Sequence, residues 1–223
     1  MSLVVVVLGL AAGIHLVGAI FSWCVIRLPA LRTRRLQPPR AQDVPAFRAR
    51  LRLVGGNLVL LAGLVTALAH FGGGLFDPRW PGVTVLAAEF AVILVADEVF
   101  FYGYHRLLHT SSWAYRTIHR VHHRARAPFP LDYLYVHPVE LVLGGTGMVL
   151  GLLAVVAVAG QISAWAFFGY MVWRDTRELV LHSGLPSLSG ITEGHDAHHA
   201  RMRGNYASNL SILDRIFGTV LER

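Results

Sequence analysis

The sequence predicts an all-α integral-membrane protein: a helical bundle of about five transmembrane helices, carrying a histidine-rich helical cap on its cytoplasmic side. Three observations carry that expectation. The 223 residues are 54% hydrophobic and only 15% charged, with a mean hydropathy of +0.51, because long apolar runs exclude charge. All twenty cations are arginine, and eight of them lie between Arg27 and Arg52 against one acid, Asp43. Nine of the twelve histidines fall in two windows, 105–123 and 182–199, with apolar sequence between them.

The elements follow in order. Residues 3–26 form a nearly unbroken apolar run, about 36 Å long as a helix and enough to cross a bilayer with some tilt. It lacks a basic leading segment and is too long for a signal-peptide core, so it reads as a span. His15, in its middle, reads as a packed, bundle-facing residue. Cys24 is the only cysteine, which excludes an intrachain disulfide. The arginine-rich stretch 27–52 is interrupted by Pro29, Pro38, Pro39 and Pro45 and reads as a solvated loop on the cytoplasmic side. Residues 53–70 are the second span, and Gly72, Gly73, Gly74, Pro78 and Pro81 form a turn. Residues 1–82 thus make an N-terminal transmembrane hairpin, and residues 83–223 a membrane domain built around the histidines.

Residues 83 to about 104 are the third span. With 27–52 inside, the third span returns inward and His105 emerges at the cytoplasmic surface. Asp97 and Glu98 lie near its inner end, where intramembrane acids normally face a bundle interior or a site. Asp97, about two helical turns before His105, is expected to support that site from behind. The stretch 124–138, rich in arginine, proline and aromatics, suits a non-helical segment in the interface. Residues 139–159 and 162–180 read as a hairpin of two spans turning at Gly160-Gln161. It returns the second histidine window to the side of the first. Leu210, Leu213, Phe217 and Val220, widened by Ile216 and Leu221, give residues 205–223 the stripe of an amphipathic helix. The absence of lysine points to a GC-rich bacterial genome, and so to a bacterial inner membrane.

The histidine spacing matters more than the count. On a helix, His105 and His109 are an i, i+4 pair; His119, His122 and His123 share a face, and His195, His198 and His199 repeat that pattern. Such faces aim several imidazoles at one point, and imidazole suits zinc, iron, copper or nickel. Nine nitrogens, counting His182, exceed one tetrahedral ion and fit two metals that keep positions open for a small molecule. His137 is a possible tenth ligand or a cap. The +7 formal charge is no nucleic-acid footprint, since the arginines concentrate in one loop. The glycines at 72–74 and 144–147 lack the context of a phosphate-binding loop.

The matching motifs are His105-x-x-x-His109, His119-x-x-His122-His123 and His195-x-x-His198-His199. Around them stand Asp97…Tyr102-x-x-His105-Arg106 and Asn205-Tyr206…Asp214-Arg215-x-Phe217-Gly218-Thr219. On these the chain resembles the fatty acid hydroxylase and sterol desaturase superfamily of integral-membrane di-iron enzymes, from about residue 83 to 219. The resemblance implies O2-dependent oxidation of an unactivated C–H bond of a lipid at two iron ions, giving an alcohol or, by loss of a second hydrogen, an alkene. It implies as ligands His105, His109, His119, His122, His123, His182, His195, His198 and His199, supported by Asp97, Glu178 and Asn205. Electrons are expected from a separate donor, a ferredoxin, cytochrome b5 or reductase. Zinc can occupy the same imidazoles in recombinant protein, because geometry and availability, not affinity, set selectivity.

One departure stands out. Where some relatives carry a further His-x-x-x-His ahead of the last box, this chain has Glu178 and His182. Either one metal has fewer histidines, or Glu178 is a carboxylate ligand, or another histidine such as His137 substitutes. Two other readings stay open: a desaturase using the same centre, and a non-enzymatic metal-binding membrane protein. Against the latter, the histidines cluster outside the spans rather than along them.

Overall fold

In the computed structural model, residues 2–38, 40–187 and 190–221 are described; Pro39 of the arginine-rich stretch and the last two residues of the expected C-terminal helix lie outside them. Helix α1 (Leu3–Arg27) starts at Ser2, whose hydroxyl accepts from the Val5 amide. A one-turn helix α2 (Pro29–Arg32) follows, then α3 (Asp43–Phe71). Helix α3 begins ten residues before the expected second span. Pro45 falls in its first turn, where a missing N–H costs nothing, so it starts the helix rather than breaking the chain. Strand β1 (Phe76–Asp77) and α4 (Val83–Thr110) come next. The short α5 (Ser112–Ala114) leads through irregular turns to α6 (Pro138–Ala159). Strand β2 (Ile162–Ser163) pairs in parallel with β1 and opens α7 (Ala164–Leu181). Helices α8 (Ile191–Arg201) and α9 (Ile212–Ile216) complete the fold.

Among the described residues, α1, α3 and α6 are long and apolar enough to cross a membrane. Helices α4 and α7, the other two expected spans, are long but carry Glu89, Asp97 and Glu98, and Arg174, Asp175, Arg177 and Glu178 respectively. The outward faces are apolar: Val158 is 91% exposed and Val59 74%. So many exposed large apolar side chains on long apolar helices suit lipid better than water.

Two glycines set the closest helix crossing. A Cβ at Gly147 would lie 2.7 Å from the Asp97 Cα, and one at Gly151 would lie 2.6 Å from the Ile93 Cα. Only glycine lets α6 approach α4 so closely, the device membrane helices use where hydrophobic burial gives no drive. Ile93, Leu152, Val155, Phe167 and Tyr170 fill the core beside this crossing. A second core of Val25, Phe47, Val54, Phe129 and Leu134 lies beneath the histidines.

Six of the eight arginines in 27–52 are exposed, as a solvated stretch requires, but Arg35 and Arg50 turn inward. Arg50 is buried and makes two parallel bonds to the buried Asp132, at 2.7 and 2.6 Å. Arg35, also buried, donates to the Pro128 carbonyl at 2.8 Å and lies 4.3 Å over the Phe129 ring. The stretch 124–138 is free of α-helix up to Pro138, as expected, and much of it is buried in the bundle, with a 3-10 turn at Pro130–Leu134. Its backbone groups find partners across the bundle. Asn57 Nδ2 donates to the carbonyls of Leu134 and Val136, and Ser22 accepts from the Leu131 amide. A non-helical segment survives inside such a bundle only when its backbone is satisfied this way.

The expected helix at 205–223 is reduced to α9. Gly204, Asn205 and Gly218 take left-handed conformations, with φ of 62°, 49° and 64°. The Asp214 carboxylate accepts from the amides of Tyr206 and Ala207 and from the Thr219 hydroxyl. These bonds replace the i, i+4 ladder, and Phe217 stacks on Tyr102 at 5.3 Å rather than continuing a helical stripe.

Candidate metal centre

Each histidine box reaches the centre on a different kind of backbone. His105 and His109 occupy the last turns of α4, which runs past the expected end of the third span. The second box is not a regular α-helix. Residues Tyr115–His119 form a π-turn, closed by the Arg120 amide on the Tyr115 carbonyl at 2.7 Å, and His122–Arg124 form a 3-10 turn. Wide and tight turns of this kind mark functional sites, because they re-aim side chains that a regular helix would align. The third box lies on α8, and His182 caps the C-terminus of α7.

The nine histidines gather into two groups: His105, His109, His119, His123 and His198, and His122, His182, His195 and His199. Within each group the candidate ligand atoms lie within 4.8 Å of one another. The last two boxes interleave. His119 and His123 join the first group while His122, between them, turns to the second; His195 and His199 join the second while His198 turns to the first.

The proton positions follow from the partners. The Nδ1 of His105 bonds the Tyr206 carbonyl at 2.8 Å, His198 the Gly204 carbonyl at 2.6 Å, His199 the Ala125 carbonyl at 3.0 Å and His182 the Glu178 carbonyl at 2.9 Å. His119 Nδ1 lies 2.7 Å from Glu140 Oε1. Each partner only accepts, so each Nδ1 carries the proton and leaves a bare lone pair on Nε2. Those lone pairs meet. The Nε2 atoms of His109, His119 and His123 lie 2.8, 2.9 and 3.1 Å apart. In the second group, His182 lies 3.1 Å from His195, which lies 3.1 Å from His199. Three mutually close nitrogens cannot all be satisfied by N–H···N bonds, and the buried His198 Nε2 has no hydrogen-bond partner among the described residues. A cation shared by each group resolves both problems, so the residues fit a pair of metal ions.

Electrostatics favours the same state. Burial pushes the imidazoles of His119, His195, His198 and His199 well below the usual range, and neighbouring histidines push them further. Burial takes His122 down to about 4, with Glu140 opposing it and His182 adding to it. Neutral imidazole is the ligating form.

The remaining expected residues fall around this core. Asp97 touches no histidine: it accepts from the Tyr170 hydroxyl at 2.7 Å and Arg174 Nε at 3.2 Å, bracing α4 to α7. Glu178 Oε1 accepts from Ser208, and its Oε2 lies 3.6 Å from His182 Nδ1. Asn205 ties the Gly194 carbonyl to the Leu221 amide, holding α8 to the C-terminal turns. His137 belongs to neither group; its side chain caps α6 by accepting from the Val139 amide. His15 lies outside both groups and bonds the Tyr133 hydroxyl at 2.6 Å. Glu140 is the residue sequence reasoning missed. Its signal was there, as a lone acid in the first turn of an otherwise apolar span.

Nine histidines gathered into two groups that could each hold a metal ion, in a bundle with three helices long and apolar enough to cross a membrane, define the class as a membrane protein with a candidate metal centre. The chain belongs to the fatty acid hydroxylase family, which it matches over residues 90–219. It is 36% identical over 152 residues to rat (Rattus norvegicus) methylsterol monooxygenase 1, covering 64% of this chain and 48% of that protein. A rice (Oryza sativa subsp. indica) very-long-chain aldehyde decarbonylase is 34% identical over 200 residues, 83% of this chain and 72% of the relative. A Dictyostelium discoideum protein whose name places it among the methylsterol monooxygenases is 34% identical over 209 residues, 86% of this chain and 74% of the relative. The chain therefore spans about half the length of the rat enzyme and roughly three quarters of the other two. No solved structure matches it.

Proposed function

We propose that this chain is an O2-dependent di-iron oxidoreductase that hydroxylates an unactivated C–H bond of a membrane lipid. The observation that carries the proposal is the division of nine histidines, seven buried and two half-buried, into two groups whose ring nitrogens converge. When bound, two iron ions would supply the O2 reduction that makes an unactivated C–H bond reactive. The chain's own part is to hold and orient. The carbonyls of Tyr206, Gly204, Ala125 and Glu178 fix four imidazoles in the ligating tautomer. Glu140 does the same for His119 and raises its basicity. A chamber of about 120 Å³ lies against His105, His119, His122, His182 and His195, where an apolar substrate segment would exclude water.

Five membrane crossings, with the centre at the cytoplasmic face of a bacterial inner membrane, fit the arginine distribution. Electrons would come from a separate ferredoxin, cytochrome b5 or reductase. The relatives' names span a monooxygenase and a decarbonylase, so the same centre serves more than one outcome, and desaturation is the competing one here. Comparative lipid mass spectrometry of a host expressing the chain or its His122→Ala variant decides. A lipid heavier by one oxygen, absent with the variant, is expected; one lighter by two hydrogens would mean desaturation. Metal uptake without O2 consumption would mark a metal-handling protein instead.

A further inference from the structure

Met202 is a methionine at a position where helices usually place glycine. It follows the third histidine box at the C-terminus of α8, with φ of 57°, a conformation that residues other than glycine rarely adopt. Its amide donates to the His198 carbonyl at 2.6 Å, and its own carbonyl lies toward the His109 ring. Its thioether sulfur accepts from the Tyr115 hydroxyl at 3.1 Å. Tyr115 opens the π-turn that carries His119. The Tyr115 ring packs 5.6 Å from His109, 6.1 Å from His123 and 6.2 Å from His119. One side-chain bond, between residues 87 apart in sequence, thus ties the second box to the third beside the five-histidine group.

A thioether is polarizable and open to oxidation. Met202 and Tyr115 are both half-buried, so a small polar oxidant reaches the sulfur from solvent, whereas Met148 and Met171 line the apolar cavity inside the bundle. Hydrogen peroxide, the two-electron reduction product of O2, is such an oxidant. The sulfur lone pair attacks one peroxide oxygen, an S–O bond forms and the O–O bond breaks. The second oxygen leaves as water, carrying both protons. Sulfur gives up two electrons and the peroxide takes them. The sulfoxide cannot keep the Tyr115 contact as it stands. No oxygen fits between a sulfur and a hydroxyl 3.1 Å apart, since an O–H···O bond alone takes about 2.7 Å. Either the phenol moves off or the left-handed Met202 backbone turns, and each displaces a segment that carries histidines.

We propose that Met202 is an oxidation site: hydrogen peroxide converts its thioether to the sulfoxide, breaks the latch to Tyr115 and loosens the five-histidine group, so that the chain gives up a metal ion when peroxide accumulates. The site rests on the oxidase reading only for a source of peroxide within the chain itself.

The test uses the purified full chain in lipid nanodiscs, loaded with zinc, which has no redox chemistry of its own, and treated with increasing hydrogen peroxide. Peptide mass spectrometry is expected to show the gain of one oxygen at Met202 before Met148 or Met171. Extraction by a chelator should then speed up at least ~10-fold for one of the two zinc ions, the lower end of what a supporting contact controls. Hydrogen exchange should rise in both 115–123 and 195–206. The two methionine sulfoxide reductases, one for each epimer, should restore both readouts. Met202→Leu, close in volume but without a thioether, should show neither change at the same peroxide dose. A chain that holds its zinc as before with Met202 fully oxidised overturns the proposal, and so does oxidation of Met148 or Met171 first; neither outcome requires a variant. Met202→Leu losing zinc as the unaltered chain does overturns it as well. A chain that binds no zinc yet loosens both segments on oxidation sinks the metal reading and leaves the latch standing.

Discussion

The two histidine groups differ in what holds them. The five-histidine group has a carboxylate behind it, Glu140 on His119, along with the carbonyls of Tyr206 and Gly204. The four-histidine group leans on backbone: the carbonyls of Glu178 and Ala125, and more weakly that of Tyr135, 3.4 Å from His122 Nδ1. The first is over-supplied with imidazole and braced by an acid. The second is one ligand poorer, and two of its supports lie in the 124–136 segment that Arg35 and Arg50 strap down. The lesson is that nearly identical motifs can build two histidine groups with unequal support, by changing what stands behind the rings, and the proposed metal positions should then differ in tightness.

That difference is most exposed to loss of a ligand. His182→Ala leaves three imidazoles in the poorer group, and His109→Ala leaves four in the richer one. Removing a ligand should cost more than the ~10–100-fold that supporting residues control. His182→Ala is therefore expected to lose one of the two metal equivalents and all measurable oxidation. His109→Ala should retain both metals with lowered affinity. Elemental analysis of the purified variants checks this, and the opposite order would invert the comparison.

The strap comes next. Arg50 and Asp132 are buried together, with side-chain exposures of 10% and 0%. Removing one partner strands a charge, at a cost of about 3–5 kcal/mol. Arg50→Ala should lower the unfolding midpoint in detergent sharply and release metal from the four-histidine group first. The apolar pair Arg50→Met with Asp132→Leu should recover most of the stability, since no charge is then left alone. Chemical denaturation with metal release followed in parallel measures both effects.

Glu140 tests the other side. Glu140→Ala removes the acceptor for His119 Nδ1, and metal affinity in the five-histidine group should fall by ~10–100-fold, read by competition with a chelator. Glu140→Gln keeps an acceptor oxygen and should recover part of the loss. An equal loss from both groups would mean that Glu140 supports the fold rather than one metal.

Much of this was legible in the sequence because it rests on local, periodic signals. Apolar runs mark α1, α3 and α6, and i, i+4 spacing marks His105 with His109 and His195 with His199. What escaped depends on contacts distant along the chain. Arg35 and Arg50 look like a solvated charge run, and only the fold brings Asp132 to Arg50, 82 residues away. The interleaving of the boxes was equally hidden: in each of the last two boxes the i, i+4 pair joins one group and the histidine between them joins the other, and the spacing carries no sign of which group each side chain meets. The C-terminal stripe misled because Leu210, Leu213 and Phe217 fit a helix while Gly204 and Gly218 forbid its continuation; the glycines should have weighed more.

The smallest expected effect concerns Glu178, which stands where relatives of the expected pattern carry a histidine. Its Oε1 is engaged by Ser208 at 2.8 Å, and its Oε2 is 3.6 Å from His182 Nδ1. The support it gives His182 runs through its backbone carbonyl, which no side-chain change removes. Glu178→Gln is therefore expected to leave metal content intact and to change metal affinity by less than about threefold, well below the range for a carboxylate that orients a ligand. Chelator competition on the four-histidine group measures it. A loss of the second metal would instead make Glu178 the ligand that completes the poorer group, and the two positions would then differ in ligand chemistry rather than in ligand number.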